Sequence, residues 1–148
     1  METEYRIMRA KEIHRKEISR LVRKAHIGAL KKSDSLKDFS IVVLNGEIVG
    51  CMGIEYIPNN AAVLTYAVTK KEFRHLGIAT RLMSFKAKEA KKKGVSLLAL
   101  CTMYYLFRFC KKRGYKTCPR EFLPVRIKDY WMFTARQYKK CAVLYRSI

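Results

Sequence analysis

Arg74-His75-Leu76-Gly77-Ile78-Ala79 sets a basic residue, a glycine three places on and a small residue two places later between an apolar stretch, Ala61 to Thr69, and a lysine-rich stretch, Thr80 to Lys93. The chemistry such a turn can do is anion capture. The first turn of a helix leaves N–H groups without acceptors and carries the positive end of the helix dipole, so a phosphate docks there if side chains stay clear. Gly77 and Ala79 keep the approach open, and Arg74 can add a charge-assisted contact. Small residues at a loop-to-helix junction also serve packing and capping, and the spacing alone leaves both readings open.

The elements that must position this turn follow from periodicity. Tyr5 to Met8 reads as a short strand. Ile18, Leu21, Val22 and Ala25 recur at helical spacing with lysines and arginines on the other faces, which predicts an amphipathic helix from Lys11 to about Leu30. Asp38 to Leu44 and Glu47 to Ile57 flank Asn45-Gly46, a hairpin signal, and Pro58-Asn59-Asn60 turns the chain into a strand over Ala61 to Thr69. Beyond the glycine turn, Ala79, Leu82, Met83, Ala87 and Ala90 make an inward helix face, while Arg81, Lys88, Lys91, Lys92 and Lys93 face outward; Gly94 stops the helix. Val95 to Leu100 is a nearly continuous apolar run, as in a strand buried on both sides, and parallel pairing through the helix makes a central βαβ unit. Val125 to Arg136 reads as a closing helix or loop and Cys141 to Arg146 as a final strand. The expectation is one α/β domain over residues 1–148.

Residues 61–79, Ala-Ala-Val-Leu-Thr-Tyr-Ala-Val-Thr-Lys-Lys-Glu-Phe-Arg-His-Leu-Gly-Ile-Ala, resemble the acetyl-CoA pyrophosphate motif of the GNAT superfamily of N-acyltransferases. Downstream, the strand Val95 to Thr102, the helix Tyr104 to Arg113 and the Gly114-Tyr115 step follow the same family order. The resemblance implies a mixed, mostly antiparallel twisted sheet with flanking helices, and direct acetyl transfer from acetyl-CoA to an amine. It places the pyrophosphate on Arg74, His75, Leu76, Gly77, Ile78, Ala79 and Thr80, and the pantetheine arm along Ala67, Val68 and Thr69, with the thioester between this strand and the next. An N–H near Val68 would polarise the thioester carbonyl.

Two side-chain demands follow. An attacking amine must lose a proton, since an α-amino group titrates near 8 and a lysine near 10.4. Many family members carry a glutamate on the central strand for this, whereas this chain has Val63, Leu64, Thr65 and Tyr66 there. The nearest carboxylates are Glu55 and Glu72, and Glu55 reaches the cleft if it points inward; an ordinary solvent-facing position is the other reading. The family's tyrosine four residues before the Gly-aromatic step is here Cys110, with Tyr104 and Tyr105 as substitutes by position.

The run from Leu100 to Tyr115, then Leu123-Pro124 and the tail from Tyr138 to Leu144, is similar to the GNAT domain of amino-acid N-acetyltransferases that make N-acetylglutamate. That resemblance puts Lys139 and Lys140 on the carboxylates of the acceptor, although lysine lacks arginine's bidentate fork.

Composition adds a separate strand of argument. The chain holds 32 Lys and Arg against 12 Asp and Glu, a formal +20, and residues 103–148 carry 12 basic and 2 acidic side chains. Such a field attracts CoA phosphates and acidic substrates, or a polyanion such as nucleic acid, or is simply a lysine-rich surface. Two classes therefore stand: an N-acetyltransferase acting on a small amine or on a protein, and a basic nucleic-acid-binding module that keeps the fold. Five cysteines without a Cys-x-x-Cys spacing, no signal-peptide pattern and no long apolar run lead to the expectation of a cytoplasmic protein with reduced thiols, no metal and no membrane partner, as monomer or homodimer.

Overall fold

A computed structural model describes residues 4–102 and 106–148. Among the described residues the strands are β1 (Arg6–Arg9), β2 (Ser40–Leu44), β3 (Glu47–Ile57), β4 (Ala61–Thr69), β5 (Leu97–Thr102), β6 (Lys116–Thr117) and β7 (Ala142–Ser147). The helices are α1 (Arg15–Lys24), α2 (Ile78–Lys92), α3 (Phe107–Lys112), α4 (Val125–Lys128) and α5 (Trp131–Thr134). The sheet order is β1-β2-β3-β4-β5-β7-β6. β1 with β2, β2 with β3, β5 with β7 and β6 with β7 pair antiparallel. β4 and β5 run parallel, from Ala61↔Leu97 to Val63↔Ala99, as a helical crossover such as α2 requires. This is the mixed, mostly antiparallel α/β architecture expected from the sequence.

By internal packing the chain divides into two compact units, Met1–Ile54 with Thr65–Lys86, and Glu55–Leu64 with Ala87–Ile148. In the first, Ile18, Leu21 and Val22 of α1 pack with Ile41, Cys51 and Val68. In the second, Ala61, Val63, Leu97, Ala99 and Val143 pack with Leu123, Ile127 and Phe133. The Asn45-Gly46 hairpin forms as its chemistry demands, with φ of 50° and 79°, both in the left-handed region of a type I′ turn.

Helix α1 is shorter than its apolar periodicity predicts. It ends at Lys24, His26 takes φ 57° and Gly28 φ 124°, and no right-handed helix continues through such residues. The apolar residues beyond, Ile27 and Leu30, still pack on the core, from a loop. Arg15 pins that loop by donating to the carbonyls of Lys31 and Asp34 at 3.1 and 2.7 Å. No helix among the described residues is long and apolar enough to cross a membrane.

One lysine of α2 departs from the solvated face around it. Lys86 is 1% exposed and its Nζ donates to the carbonyl of Asp38 at 2.6 Å. Removing the ammonium relieves a desolvation cost but leaves a carbonyl short of a strong donor, and for a charge-assisted bond the second effect, about 1.5–3 kcal/mol, is the larger. Lys86→Met keeps the stem volume, so a net loss of about 1 kcal/mol is expected. Thermal unfolding checks this: the melting temperature should drop by about 2–4 °C.

Candidate active site

A 3-10 turn, Lys71–Leu76, leads into Gly77, which takes φ 74° and ψ 15°. Glycine alone enters this left-handed region without a Cβ penalty. The Arg81 N–H donates to the Gly77 carbonyl at 3.1 Å, so Gly77 supplies the first helical acceptor. The N–H groups of Ile78 and Ala79, within the first turn, accordingly have no acceptor inside the helix. A Cβ placed on Gly77 would meet nothing within 4 Å, so the space in front of the bend is open. Ile78 is fully buried and anchors the start of α2, whereas Arg74, His75, Gly77 and Thr80 are exposed and Leu76 and Ala79 half-buried. The Arg74 Nε donates to the Thr69 carbonyl at 3.3 Å, tying the cation to the end of β4.

Sequence reasoning missed two residues beside this turn. The Tyr5 hydroxyl donates to the Leu76 carbonyl at 3.3 Å, and the Arg81 guanidinium lies 5.1 Å from the centre of the Tyr5 ring. Arg81 therefore stands as a second cation on the first turn of α2, held by a stacking contact. An arginine at the fourth position of a helix is a weak signal for this; Tyr5, far upstream, carries none.

The end of β4 is kinked. Tyr66 adopts φ 44°, a left-handed conformation that costs a non-glycine residue about 1–2 kcal/mol. Among the contacts that hold it there, the Cys51 thiol donates to its carbonyl at 3.3 Å, its hydroxyl donates to Asp34 Oδ2 at 3.4 Å, and its ring stacks on Phe39 at 5.8 Å. Burial pushes the Cys51 thiol up to about 12, with a backbone hydrogen bond from Val68 acting the other way, so this group is a structural, protonated thiol. Beyond the kink Ala67 is exposed, Val68 buried and Thr69 half-buried. Positive φ at a tyrosine has no sequence signature.

In the second unit the structure places Glu55 on β3 in the exposed position that was one of its two readings. It is exposed, yet its Oε2 accepts a hydrogen bond from the hydroxyl of Tyr130, a residue 8% exposed whose ring meets Phe133 edge-on at 5.1 Å. A solvent-accessible carboxylate held by a buried phenol is fixed in orientation while remaining open to water. Tyr130 lies 75 residues downstream, beyond the reach of any local pattern. Cys110 is buried, and burial raises its thiol pKa against the lowering effect of Arg113, which keeps it protonated. Glu72 is exposed. Lys139 and Lys140 are exposed just before β7, in a turn that Arg120 fastens by donating to the carbonyls of Tyr138 and Cys141 at 2.6 and 2.8 Å. Tyr104 and Tyr105 lie outside the described residues.

Comparison with known proteins meets this geometry from outside. A curated uncharacterized N-acetyltransferase of Chlorobaculum tepidum is 26% identical over 94 residues, 64% of this chain and 59% of its own length. Among solved structures, N-acetylglutamate synthase from Neisseria gonorrhoeae, complexed with coenzyme A and N-acetyl-glutamate, is similar at a TM-score of 0.84 and 17% identity over 99% of this chain. This chain spans 36% of that synthase. The ribosomal-protein-S18-alanine N-acetyltransferase from Escherichia coli is similar at a TM-score of 0.75 and 13% identity, over 98% of this chain and 94% of its own. Residues 5–115, which contain both the kinked strand and the glycine turn, match the model of the acetyltransferase (GNAT) family, and the chain belongs to that family.

Proposed function

We propose that this chain moves an acetyl group from acetyl-CoA directly to a primary amine, and that the acceptor is a free amino acid such as glutamate. The observation that carries the reading is the open bend at Gly77 in front of the first turn of α2. The N–H groups of Ile78 and Ala79 take the pyrophosphate, with Arg74 and Arg81 supplying charge. The pantetheine amides run along the main chain of Ala67 to Thr69. The amine nitrogen attacks the thioester carbon, a C–N bond forms, the C–S bond breaks and CoA leaves as thiolate. A thiol titrating near 8.5 is a good leaving group at neutral pH and needs no acid. Glu55, held by Tyr130, takes the amine's proton through water.

The amino-acid acceptor is supported by the likeness of Leu100 to Tyr115, Leu123-Pro124 and Tyr138 to Leu144 to amino-acid N-acetyltransferases, by the exposed cations Lys139 and Lys140, and by the synthase whose structure contains N-acetyl-glutamate. The test has two readouts. Acetyl-CoA at a hundredfold excess over its Kd should stabilise the fold by about 2.7 kcal/mol and raise the melting temperature by about 5–10 °C. Release of CoA thiol should then be fastest with glutamate in a panel that includes other amino acids, polyamines and peptide N-termini. An unmoved melting curve at millimolar acetyl-CoA refutes the enzyme; thiol release driven only by peptide N-termini refutes the amino-acid acceptor.

A further inference from the structure

We propose that Gly50 and Cys51, neighbours on β3, are positioning residues that aim the main chain of Ala67 at the pantetheine arm, an inference that rests on the acetyl-transfer reading. The Cys51 thiol donates to the Tyr66 carbonyl at 3.3 Å, and its sulfur accepts a hydrogen bond from the Val68 N–H. These two groups belong to the peptides on either side of Ala67. A trans peptide sets its C=O and N–H on opposite sides, and the described chain holds no cis bond. With the Tyr66 carbonyl turned to β3, the Ala67 N–H points away from β3. With the Val68 N–H turned to β3, the Ala67 carbonyl points away as well. One fully buried thiol thus orients a donor and an acceptor on a residue that is itself exposed.

Gly50 makes the second contribution. β3 keeps its hold on β4 past the kink, since the Lys70 N–H donates to the Val49 carbonyl at 2.8 Å and the Lys70 ammonium pairs with Glu47. Between these points a Cβ on residue 50 would lie 3.1 Å from the Val68 carbonyl oxygen and 3.3 Å from Cγ2 of Ile78. Glycine lets the strand lie that close without displacing either. Val68 belongs to the pantetheine segment and Ile78 opens the helix that takes the pyrophosphate, so Gly50 sets the spacing between the two parts of the coenzyme site. An amide of the arm can pair with the donor and the acceptor of one extended residue as a neighbouring strand does. Main chain already held in that orientation loses less freedom on binding.

The test compares acetyl-CoA with adenosine 3′-phosphate 5′-diphosphate, which keeps the diphosphate and lacks the pantetheine arm. Cys51→Val preserves apolar burial and removes both sulfur hydrogen bonds. Its Kd for acetyl-CoA, measured by calorimetry, should rise about tenfold, the worth of one hydrogen bond, while its Kd for the fragment stays within about twofold of the parent. Cys51→Ser, whose hydroxyl can donate and accept at the same two places, should recover acetyl-CoA affinity to within about threefold of the parent. Gly50→Ala should weaken both ligands, because the added methyl presses on Ile78 as well as on Val68. Amide hydrogen exchange reads the contact directly: the Ala67 N–H should exchange more slowly when acetyl-CoA binds the parent, and the fragment should leave it unchanged. Equal weakening of the two ligands in Cys51→Val, or no weakening of either, overturns the proposal, as does Ala67 exchange that ignores acetyl-CoA. If Cys51→Val does not fold, Cys51→Ala is held to the same criteria. A parent chain that fails to bind acetyl-CoA refutes the acetyl-transfer reading and this inference with it, whereas normal binding by the parent without the split between ligands in the variants refutes the positioning role alone.

Discussion

Replacing Gly77 with valine is expected to abolish the rise in melting temperature that acetyl-CoA produces, and with it acetyl transfer. Gly77 sits at φ 74° with open space where a Cβ would go, so the valine methyls would occupy the volume through which a diphosphate reaches the N–H groups of Ile78 and Ala79. Losing two charge-assisted hydrogen bonds of about 1.5–3 kcal/mol each lowers affinity by roughly 10²–10⁴. The same substitution also strains the backbone, because a β-branched residue is an outlier at positive φ. Gly94 separates the two effects. It lies just past the other end of α2 at φ 86°, again with nothing within 4 Å of an added Cβ. Gly94→Val should therefore lower the ligand-free melting temperature about as much as Gly77→Val and leave the response to acetyl-CoA intact. A normal acetyl-CoA shift in Gly77→Val would remove the bend from the coenzyme site.

The features visible in the sequence are those whose cause is local. β3 and β4 run over the residues their apolar patterns delimit, Glu47–Ile57 and Ala61–Thr69, because turn chemistry at Asn45-Gly46 and Pro58-Asn59-Asn60 stops them. The glycine bend was equally legible, since the conformation it requires restricts the residue type. What escaped is long-range. Lys86 reads as one more solvated lysine on a lysine-rich helix, and the Asp38 carbonyl that helps make its burial tolerable is 48 residues away. The kink at Tyr66 depends on Cys51, Asp34 and Phe39, none of them close in sequence. Residues 118–141 resist periodicity analysis for another reason: helices of four residues are too short to display a repeat.

The contact between Glu55 and Tyr130 carries the second large effect. Glu55→Gln should lower kcat by about 10²–10³ while leaving the KM for acetyl-CoA unchanged, the signature of a lost proton acceptor rather than a lost binding contact. Stability should hardly change, because the carboxylate is exposed on β3 and surface replacements fall within about 0.5 kcal/mol. Tyr130 does not touch the reacting atoms in this scheme; it positions the carboxylate. Tyr130→Phe keeps the buried ring against Phe133 and removes only the hydroxyl, so kcat should fall about tenfold, the cost of one hydrogen bond of roughly 1.4 kcal/mol. In the double variant the losses should not multiply, since a hydroxyl that acts only through Glu55 has nothing left to orient once glutamine replaces it. Multiplicative losses would give Tyr130 a role of its own, and a Glu55→Gln variant within about twofold of the parent kcat would mean that the amine reaches the thioester already deprotonated.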